Sequence, residues 1–159
     1  MIKTLRVDER LIHGQIAMVW SRELNIDGIV VANDETAGNE TQQMALKMAV
    51  PSGIKVIIKT LQGAIDLLQD PRAEKMKLLV LVKTVNDAVV LADKLPNIAY
   101  VNIGNVGKAV IGEKKTLTQF VMLTPAELTS LATLVELYPE TALQNLPSDK
   151  KELAKDFIK

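Results

Sequence analysis

One short segment near the start of the chain combines two arginines, two carboxylates and a histidine. It reads Arg6-Val7-Asp8-Glu9-Arg10-Leu11-Ile12-His13-Gly14-Gln15, and His13 is the only histidine among 159 residues. A neutral imidazole is a nucleophile, and arginine side chains near it can bind the oxygens of a phosphoryl group. The segment therefore favours reversible phosphoryl transfer through His13, with Arg10 on the phosphoryl oxygens and Asp8 orienting Arg10 or the ring.

The alternative interpretation of this segment is a solvated charged loop in which His13 is incidental. The position of His13 argues against it, because the segment joins a predicted strand to a predicted helix. At a helix N-terminus, free backbone N–H groups and the helix dipole favour an anion and disfavour an imidazolium. Spacing alone leaves both interpretations open.

The composition removes several other kinds of chemistry. The chain has no cysteine, which excludes disulfides, zinc–thiolate sites, iron–sulfur clusters and thiol nucleophiles, and one histidine excludes a multi-histidine metal site. We therefore expect no metal and no cofactor. Lysines and arginines number 19, as do aspartates and glutamates, and aromatic residues make up 3% of the chain. This balance argues against nucleic-acid binding.

No part of the sequence predicts export or membrane insertion. Charged residues follow soon after the first residues, at Arg6, Asp8, Glu9 and Arg10, and no window approaches the roughly 20 apolar residues that span a bilayer. We expect a cytoplasmic protein with no transmembrane segment of its own.

Short β-branched runs alternate with segments of helical period. This pattern predicts a single domain with a three-layer α/β/α architecture around a mostly parallel sheet. The predicted strands are 2–7, 28–32, 54–59, 76–82, 98–103 and 120–123, with an edge strand at 141–146. The predicted helices are 14–24, one between 36 and 50, 61–69, 85–95, one beginning at 125, and 148–157. On the first helix we expect a buried face of Ile16, Val19, Trp20 and Leu24.

In sheets of this kind, ligands bind where the carboxyl ends of the strands lead into helices. The first such segment is the loop at Asp8–Gly14. The others are Asn33–Thr36, Lys59-Thr60, Lys83-Thr84 and Gly104–Lys108. From these segments we expect Asn33, Asp34 and Gly104 to line the cleft.

The glycine-rich segment Gly104–Lys108 is predicted to be a turn rather than a nucleotide site. Its glycines are separated by two residues where a Walker loop needs four, and Ala109 replaces the Ser or Thr after the lysine. The nucleic-acid clamp of KH modules has the same G-x-x-G spacing but joins two helices. A receiver-like domain is also excluded, because the third strand ends in Lys59 where such a domain needs an aspartate.

The segment from Arg6 to Gln15, continuing to Trp20, resembles the signature of the IIB component of the mannose/fructose/sorbose family of the bacterial sugar phosphotransferase system. The resemblance extends in order along nearly the whole chain. Its further motifs are Ala32-Asn33-Asp34-Glu35, Pro51-Ser52-Gly53-Ile54-Lys55-Val56, Leu81-Val82-Lys83 and Asn102-Ile103-Gly104.

The resemblance implies a phosphocarrier. His13 would accept a phosphoryl group on Nδ1 from a histidine of a phosphorylated IIA component or domain. It would pass the group to a sugar entering through the membrane components IIC and IID. Arg10 matches the arginine that stabilises the phosphoryl group, and Asp8 would share its catalytic role. The same resemblance makes residues 1–159 one IIB domain, associated with the inner face of the membrane through IIC and IID, and assigns loop or phosphate support to Arg6, Gly14 and Gln15.

Two features of the sequence leave a functional question open. The family has a Gly-Gly pair after the fifth strand, where this chain has Gly104-Asn105, so the role of this loop and the class of sugar stay open. Ile12 beside His13 is either a contact for IIA or part of the core. The rival class is a non-catalytic ligand-binding or regulatory α/β domain, which would use the same cleft.

Overall fold

Nine strands and six α-helices alternate along residues 1–158, the part of the chain that the computed structural model describes. The strands are β1 Ile2–Asp8, β2 Gly28–Ala32, β3 Lys55–Lys59, β4 Leu78–Val82, β5 Val101–Asn105, β6 Lys115–Thr118, β7 Val121–Leu123, β8 Ala142–Leu143 and β9 Glu152–Leu153. The helices are α1 Ser21–Leu24, α2 Asp34–Ala37, α3 Glu40–Met48, α4 Leu61–Gln69, α5 Val85–Lys94 and α6 Pro125–Leu137. A π-helical turn, Ile16–Trp20, leads into α1, and 3-10 turns occupy Pro71–Lys75 and Ala154–Phe157.

Seven of the strands form one sheet in the order β3-β2-β4-β1-β5-β8-β9. Every pair in it is parallel except β8–β9, and β6 and β7 form a separate antiparallel hairpin. Helices α4, α5 and α6 pack on one face, whereas the π-helical turn, α1 and α3 pack on the other. The predicted three-layer α/β/α single domain with a mostly parallel sheet is confirmed. No helix within residues 1–158 is long and apolar enough to cross a membrane.

Local sequence accounts for most of the elements. All residues of β4, Leu-Leu-Val-Leu-Val, are buried, as expected of a central parallel strand covered on both faces. Threonines cap the start of two helices. Thr84 accepts the N–H of Asp87 at the start of α5, and Thr124 and Glu127 form a reciprocal capping box at α6.

The strand order places the crossover point of the sheet between β1 and β4, at the carboxyl edge. β1 and β4 are neighbours, but β1 leads into the π-helical turn on one face and β4 leads into α5 on the other. Chains that leave adjacent strands toward opposite faces open a space between them, and this is where α/β domains bind ligands. The segment that contains His13 follows β1 at this edge of the sheet.

The helix after β1 is wound differently from the prediction. The N–H of Ser21 bonds the carbonyl of Ile16, five residues earlier, and the Ser21 hydroxyl donates to the same oxygen at 2.9 Å. The wider π turn rotates the helix surface. Ala17 and Trp20 therefore face the core, while Val19, predicted to be buried, is 42% exposed.

Other differences occur near strand ends and at the carboxyl end of the chain. Strand β5 continues through Gly104 and Asn105, which were predicted to lie in a loop. The strand predicted at 141–146 is limited to β8. The region 148–157 is not the predicted helix, because it forms β9 and a 3-10 turn. Strand β6 was not predicted at all, because its residues are only half-buried at most and show weak alternation.

Candidate functional site

A strained turn returns the chain toward β1 immediately after the strand ends. The N–H of Leu11 donates to the carbonyl of Asp8 at 2.9 Å, and Leu11 has a φ of 56° in the left-handed region. That conformation costs a non-glycine residue about 1 kcal/mol or more. Burial of Leu11 and Ile12, 2% and 4% exposed, holds the turn in place. Ile12 is therefore a core residue and not an exposed contact for a partner.

The turn places His13 against Asp8. Oδ2 of Asp8 lies 3.0 Å from Nε2 of His13, and the His13 side chain is 18% exposed while that of Asp8 is fully buried. An ionised carboxylate can only accept hydrogen bonds, so Nε2 carries the ring proton. The lone pair of the neutral ring is then on Nδ1.

Arg10 binds the same carboxylate from the solvent side. Its backbone N–H donates to Oδ1 of Asp8 at 3.0 Å, and its Nε donates to Oδ1 at 3.2 Å. The Arg10 side chain is 42% exposed. The guanidinium thus keeps N–H groups available to an anion at the surface.

Arg6 binds Asp8 from the interior. Its Nη2 lies 3.2 Å from Oδ2 of Asp8, and its Nη1 donates to Oδ1 of Asn102 at 2.6 Å and to the carbonyl of Gln144 at 3.1 Å. Register explains the first of these partners, since Arg6 of β1 pairs with Asn102 of β5. The guanidinium also lies over the Trp20 ring, 5.0 Å from its centroid. Arg6, Asp8, Arg10 and His13 therefore form one connected group, the Asp8 cluster.

Gly104 makes room for the buried arginine. A Cβ atom at this position would lie 2.1 Å from Cζ of Arg6, well inside contact distance. Any larger residue would displace the guanidinium. The requirement for glycine at this point of β5 is steric.

The charges of the Asp8 cluster keep Asp8 ionised. Burial desolvates the carboxylate and tends to raise its pKa, but hydrogen bonds from His13 and Arg10 and the charge of Arg6 outweigh burial, lowering the pKa to about 2. Burial also lowers the pKa of Arg6, against the opposing effect of Asp8. At neutral pH the cluster contains an ionised carboxylate bound to two arginines and the imidazole.

Helical winding begins at Gly14, directly after His13. Gly14 is exposed and a Cβ there would have nothing within 4 Å, so no steric constraint requires glycine. Gln15 is half-buried, and its Oε1 is buried without a hydrogen-bond partner within residues 1–158. Both residues lie next to the imidazole along the chain, at the amino end of the helix.

Asn33 and Asp34 hold secondary structure rather than the Asp8 cluster. Oδ1 of Asn33 accepts the N–H and hydroxyl of Thr36 at 2.9 and 2.8 Å, which caps α2. Oδ1 of Asp34 accepts the N–H of Leu61 at 2.8 Å, which ties the start of α2 to the start of α4. Within the described chain, no hydrogen bond joins either residue to His13, whereas Gly104 contacts Arg6.

Sequence reasoning missed the residues that support the Asp8 cluster. Glu9 accepts backbone N–H groups from Gly107, Lys108 and Ala109 at 3.3, 3.0 and 3.3 Å, which fastens the glycine-rich segment to the loop of His13. A second support is the hydrogen-bonded set behind Arg6, formed by Tyr100, Asn102 and Gln144. The polar Asn102 within a buried strand was the available signal for this set.

These features define a class of protein. An α/β domain with a half-buried histidine, an ionised carboxylate and two arginines at the carboxyl edge of its sheet has the groups needed to handle an anion. Among residues 1–158, no group of three or more His, Cys, Asp or Glu side chains is arranged to hold a metal ion.

Comparison with known proteins identifies the family. The family model described as "PTS system sorbose subfamily IIB component" matches residues 2–159, and the chain belongs to this family. The chain is 45% identical to a probable phosphotransferase enzyme IIB component of Streptococcus pyogenes, over 95% of this chain and 95% of that one. It is 32% identical to the sorbose-specific EIIB component of the phosphotransferase system of Klebsiella pneumoniae, over 93% of this chain and 89% of that one.

A solved structure has the same fold. The IIB domain of the sorbose permease from Klebsiella pneumoniae superimposes with a TM-score of 0.90 at 30% identity, covering 99% of this chain and 96% of that one. The predicted family is thereby confirmed, and the chain is a IIB component of a sugar phosphotransferase system.

Proposed function

We propose that His13 carries the phosphoryl group of this component. The donor is a phosphohistidine of a IIA component or domain, and the acceptor is a sugar that enters through the membrane components IIC and IID. Residues 1–159 act as one IIB domain, working at the inner face of the membrane through its contacts with IIC and IID. The observation that carries the proposal is the 3.0 Å contact between Asp8 and Nε2 of His13.

The contact favours Nδ1 as the nucleophile. With the proton on Nε2, the Nδ1 lone pair attacks phosphorus while the bond to the donor nitrogen breaks and its electron pair returns to the donor ring. The phosphorylated ring keeps its Nε2 proton and is formally cationic. The ionised carboxylate of Asp8 stabilises this ring through the same hydrogen bond.

Arg10 and the amino end of the helix would receive the phosphoryl oxygens. The Arg10 guanidinium is partly exposed beside His13, and the first N–H groups of the helix, at Gly14 and Gln15, have no acceptor one turn earlier. Positioning and charge stabilisation account for most catalysis in phosphoryl transfer. Arg6 contributes by holding Asp8.

In the second half-reaction, the phosphoryl group leaves the same nitrogen of His13. A sugar hydroxyl oxygen attacks phosphorus, the P–N bond breaks with its electron pair returning to Nδ1, and the hydroxyl proton is released to solvent. No nucleotide is needed, because the P–N bond already stores the transfer potential.

Labelling from a phosphorylated IIA donor tests the proposal. We expect stoichiometric incorporation of an acid-labile, base-stable phosphate into the wild-type protein and none into His13→Ala. Normal labelling of His13→Ala, or a phosphate released by hydroxylamine as from a carboxylate, would contradict it. No labelling of the wild type would favour the rival class, a non-catalytic binding domain.

Arg10→Ala tests the role of the exposed arginine in the same assay. We expect the single-turnover rate to fall by about 100-fold, which is the usual effect of losing one preorganised hydrogen-bond donor. We expect the free energy of unfolding to be unchanged. Arg72→Ala is the matched control, because Arg72 is an exposed arginine that also pairs with an aspartate two residues away. An unchanged rate in Arg10→Ala would remove Arg10 from the mechanism.

A further inference from the structure

Asn102 is a polar side chain buried within β5, and the proposed reaction does not use it directly. It is fully buried, whereas asparagines mostly lie at protein surfaces. The strand pairing sets it between Arg6 of β1 and Ala142 of β8. A buried amide is costly unless its donors and acceptors are hydrogen-bonded, so the partners of Asn102 indicate what it does.

The amide of Asn102 has one orientation that satisfies its neighbours. Its Nδ2 donates to the backbone carbonyls of Gln144 and Ala142 at 3.0 and 3.4 Å. Carbonyl oxygens only accept hydrogen bonds, so the amide nitrogen faces them and the amide oxygen faces the other way. Oδ1 therefore accepts a hydrogen bond from Nη1 of Arg6, at 2.6 Å.

Two acceptors hold Nη1 of Arg6 in place. They are Oδ1 of Asn102 at 2.6 Å and the carbonyl of Gln144 at 3.1 Å. A guanidinium is planar and its nitrogens form a rigid fork, so fixing Nη1 sets the direction of Nη2. Nη2 lies 3.2 Å from Oδ2 of Asp8. Both acceptors of Nη1 are neutral, which leaves the charge of Arg6 to the carboxylate of Asp8.

Asp8 extends this chain of contacts to His13. The oxygen that receives Nη2 of Arg6, Oδ2, also lies 3.0 Å from Nε2 of His13. Among residues 1–158, Asn102 makes no hydrogen bond with Asp8 or His13. Its influence on the ring therefore passes through Arg6 and Asp8, in three successive contacts of 2.6, 3.2 and 3.0 Å.

We propose that Asn102 is a positioning residue for phosphoryl transfer. By holding Arg6, it fixes the Asp8 oxygen that keeps the proton of His13 on Nε2, and so leaves Nδ1 free to react. The reaction of Nδ1 rests on the proposed function, whereas the link from Asn102 to the ring does not. An apolar residue at position 102 would leave Nη1 with the carbonyl of Gln144 alone, so the guanidinium would turn and draw Oδ2 away from the ring.

The position of the ring proton tests the link in the unphosphorylated protein. His13 is the only histidine in the chain, so the spectrum of the 15N-histidine-labelled protein contains one imidazole. At about pH 9, where an imidazole is neutral, the 15N shifts show which nitrogen carries the proton. The variants are Asn102→Leu, which roughly keeps the side-chain volume, and Asn102→Ala, which serves if Asn102→Leu does not fold. In both we expect the ratio of Nδ1–H to Nε2–H rings to rise by about fivefold, as for loss of one hydrogen bond.

Transfer kinetics test the consequence for the reaction. We expect single-turnover transfer from saturating phosphorylated IIA to slow by about tenfold in both variants, because a misplaced reacting group loses rate. The IIA concentration that gives half the maximal rate should be unchanged, since a fully buried side chain does not touch a docked partner. Thr141→Val is the matched control. Thr141 is also buried and donates a 2.6 Å hydrogen bond, but to the backbone of Tyr138.

Urea unfolding identifies the variants that are folded, and three outcomes in those variants would overturn the proposal. The first is an unchanged ratio of ring protonation in the Asn102 variants. The second is an equal change in Thr141→Val, which would trace the effect to general loosening of the fold. The third is a higher half-saturating IIA concentration with an unchanged maximal rate, which would assign Asn102 to partner binding.

The two proposals fail separately. A changed ratio of ring protonation in a protein that phosphorylated IIA does not label would support the link from Asn102 to the ring and contradict the phosphocarrier role. Labelling of His13 with an unchanged ratio in the Asn102 variants would do the reverse.

Discussion

Oδ2 of Asp8 lies 3.0 Å from Nε2 of His13, on the opposite side of the ring from the nitrogen proposed to carry phosphate. The same oxygen lies 3.2 Å from Nη2 of Arg6. One buried carboxylate oxygen thus joins a surface imidazole to an arginine in the interior. The orientation of His13 therefore depends on two fully buried side chains, those of Asp8 and Arg6.

Replacement of Asp8 by asparagine tests this dependence. Asp8→Asn leaves the buried Arg6 without its counter-ion, so we expect the free energy of unfolding to fall by about 3 kcal/mol. The imidazole also loses the charge that fixes its protonated nitrogen, and we expect the phosphoryl-transfer rate to fall by about 100-fold. Urea unfolding and single-turnover labelling measure the two effects.

Asp70→Asn is the matched control for stability. Asp70 also pairs with an arginine, with Oδ2 2.7 Å from Nη2 of Arg72, but that arginine is 89% exposed. Solvent screens such a pair, so we expect Asp70→Asn to have the same free energy of unfolding as the wild type in urea. An equal loss in both variants would show that burial of Asp8 is not the cause.

Acid stability follows from the low pKa of Asp8. The pKa is about 2 in the folded protein, below the roughly 3.9 of an unfolded aspartate, so the unfolded chain takes up the proton first. The ionised carboxylate stabilises the fold above pH about 4, and this contribution is lost as the pH falls toward about 2. Between these values we expect the wild type to lose about 2 kcal/mol more than Asp8→Asn. Urea unfolding at each pH measures the free energy of unfolding, and an equal fall in this free energy for the two proteins would contradict the prediction.

Gly104→Ala tests the space below Arg6. The new Cβ would overlap the guanidinium, and we expect a loss of about 1 to 3 kcal/mol in the free energy of unfolding. Trp20, the only tryptophan in the chain, lies under Arg6, so its fluorescence should change when Arg6 moves. Gly38→Ala is the control, because a Cβ there meets its nearest neighbour at an ordinary 3.7 Å. Unaltered fluorescence and stability in Gly104→Ala would be inconsistent with the steric account.

Glu9→Ala tests the attachment of the glycine-rich segment. The N–H groups of Gly107, Lys108 and Ala109 lose their shared acceptor, and we expect their hydrogen exchange to quicken by about tenfold or more. Amides of the central strands should be unaffected. Glu113→Ala is the control in the same loop, since Glu113 is exposed and its side chain makes no hydrogen bond within residues 1–158. Similar acceleration in both variants would show that loss of any glutamate loosens the loop.

Periodicity predicted the architecture because each element buries a continuous apolar face. The apolar run of β4 and the caps at Thr84 and Thr124 are local signals, which is why the strand predicted at 76–82 and the helices predicted from 85 and 125 are present in the structure. Val19 was misplaced because a π turn depends on one extra residue per turn, which periodicity at helical spacing does not detect. The prediction of a helix at 148–157 was wrong, because the short strand β9 forms by pairing with β8. Local propensity does not reveal such a pairing.

The sequence predicted which residues lie near His13 better than it predicted how they are held. Arg6, Asp8, Arg10 and His13 are close in the chain, so the turn brings them together. The burial of Arg6 depends on Asn102, Gly104 and Gln144, which only tertiary pairing brings near. Asn33 and Asp34 were expected in the cleft because of their edge position, but their hydrogen bonds hold α2 and α4.

The bond from Arg6 to the carbonyl of Gln144 joins residues 138 positions apart. During synthesis, the carbonyl of Gln144 leaves the ribosome 138 residues after Arg6. A nascent chain therefore cannot bury this guanidinium with all its partners until the segment that contains Gln144 has been made. The Asp8 cluster, which orients His13, therefore forms late in folding, and we expect chains truncated before Gln144 to lack the native arrangement of His13.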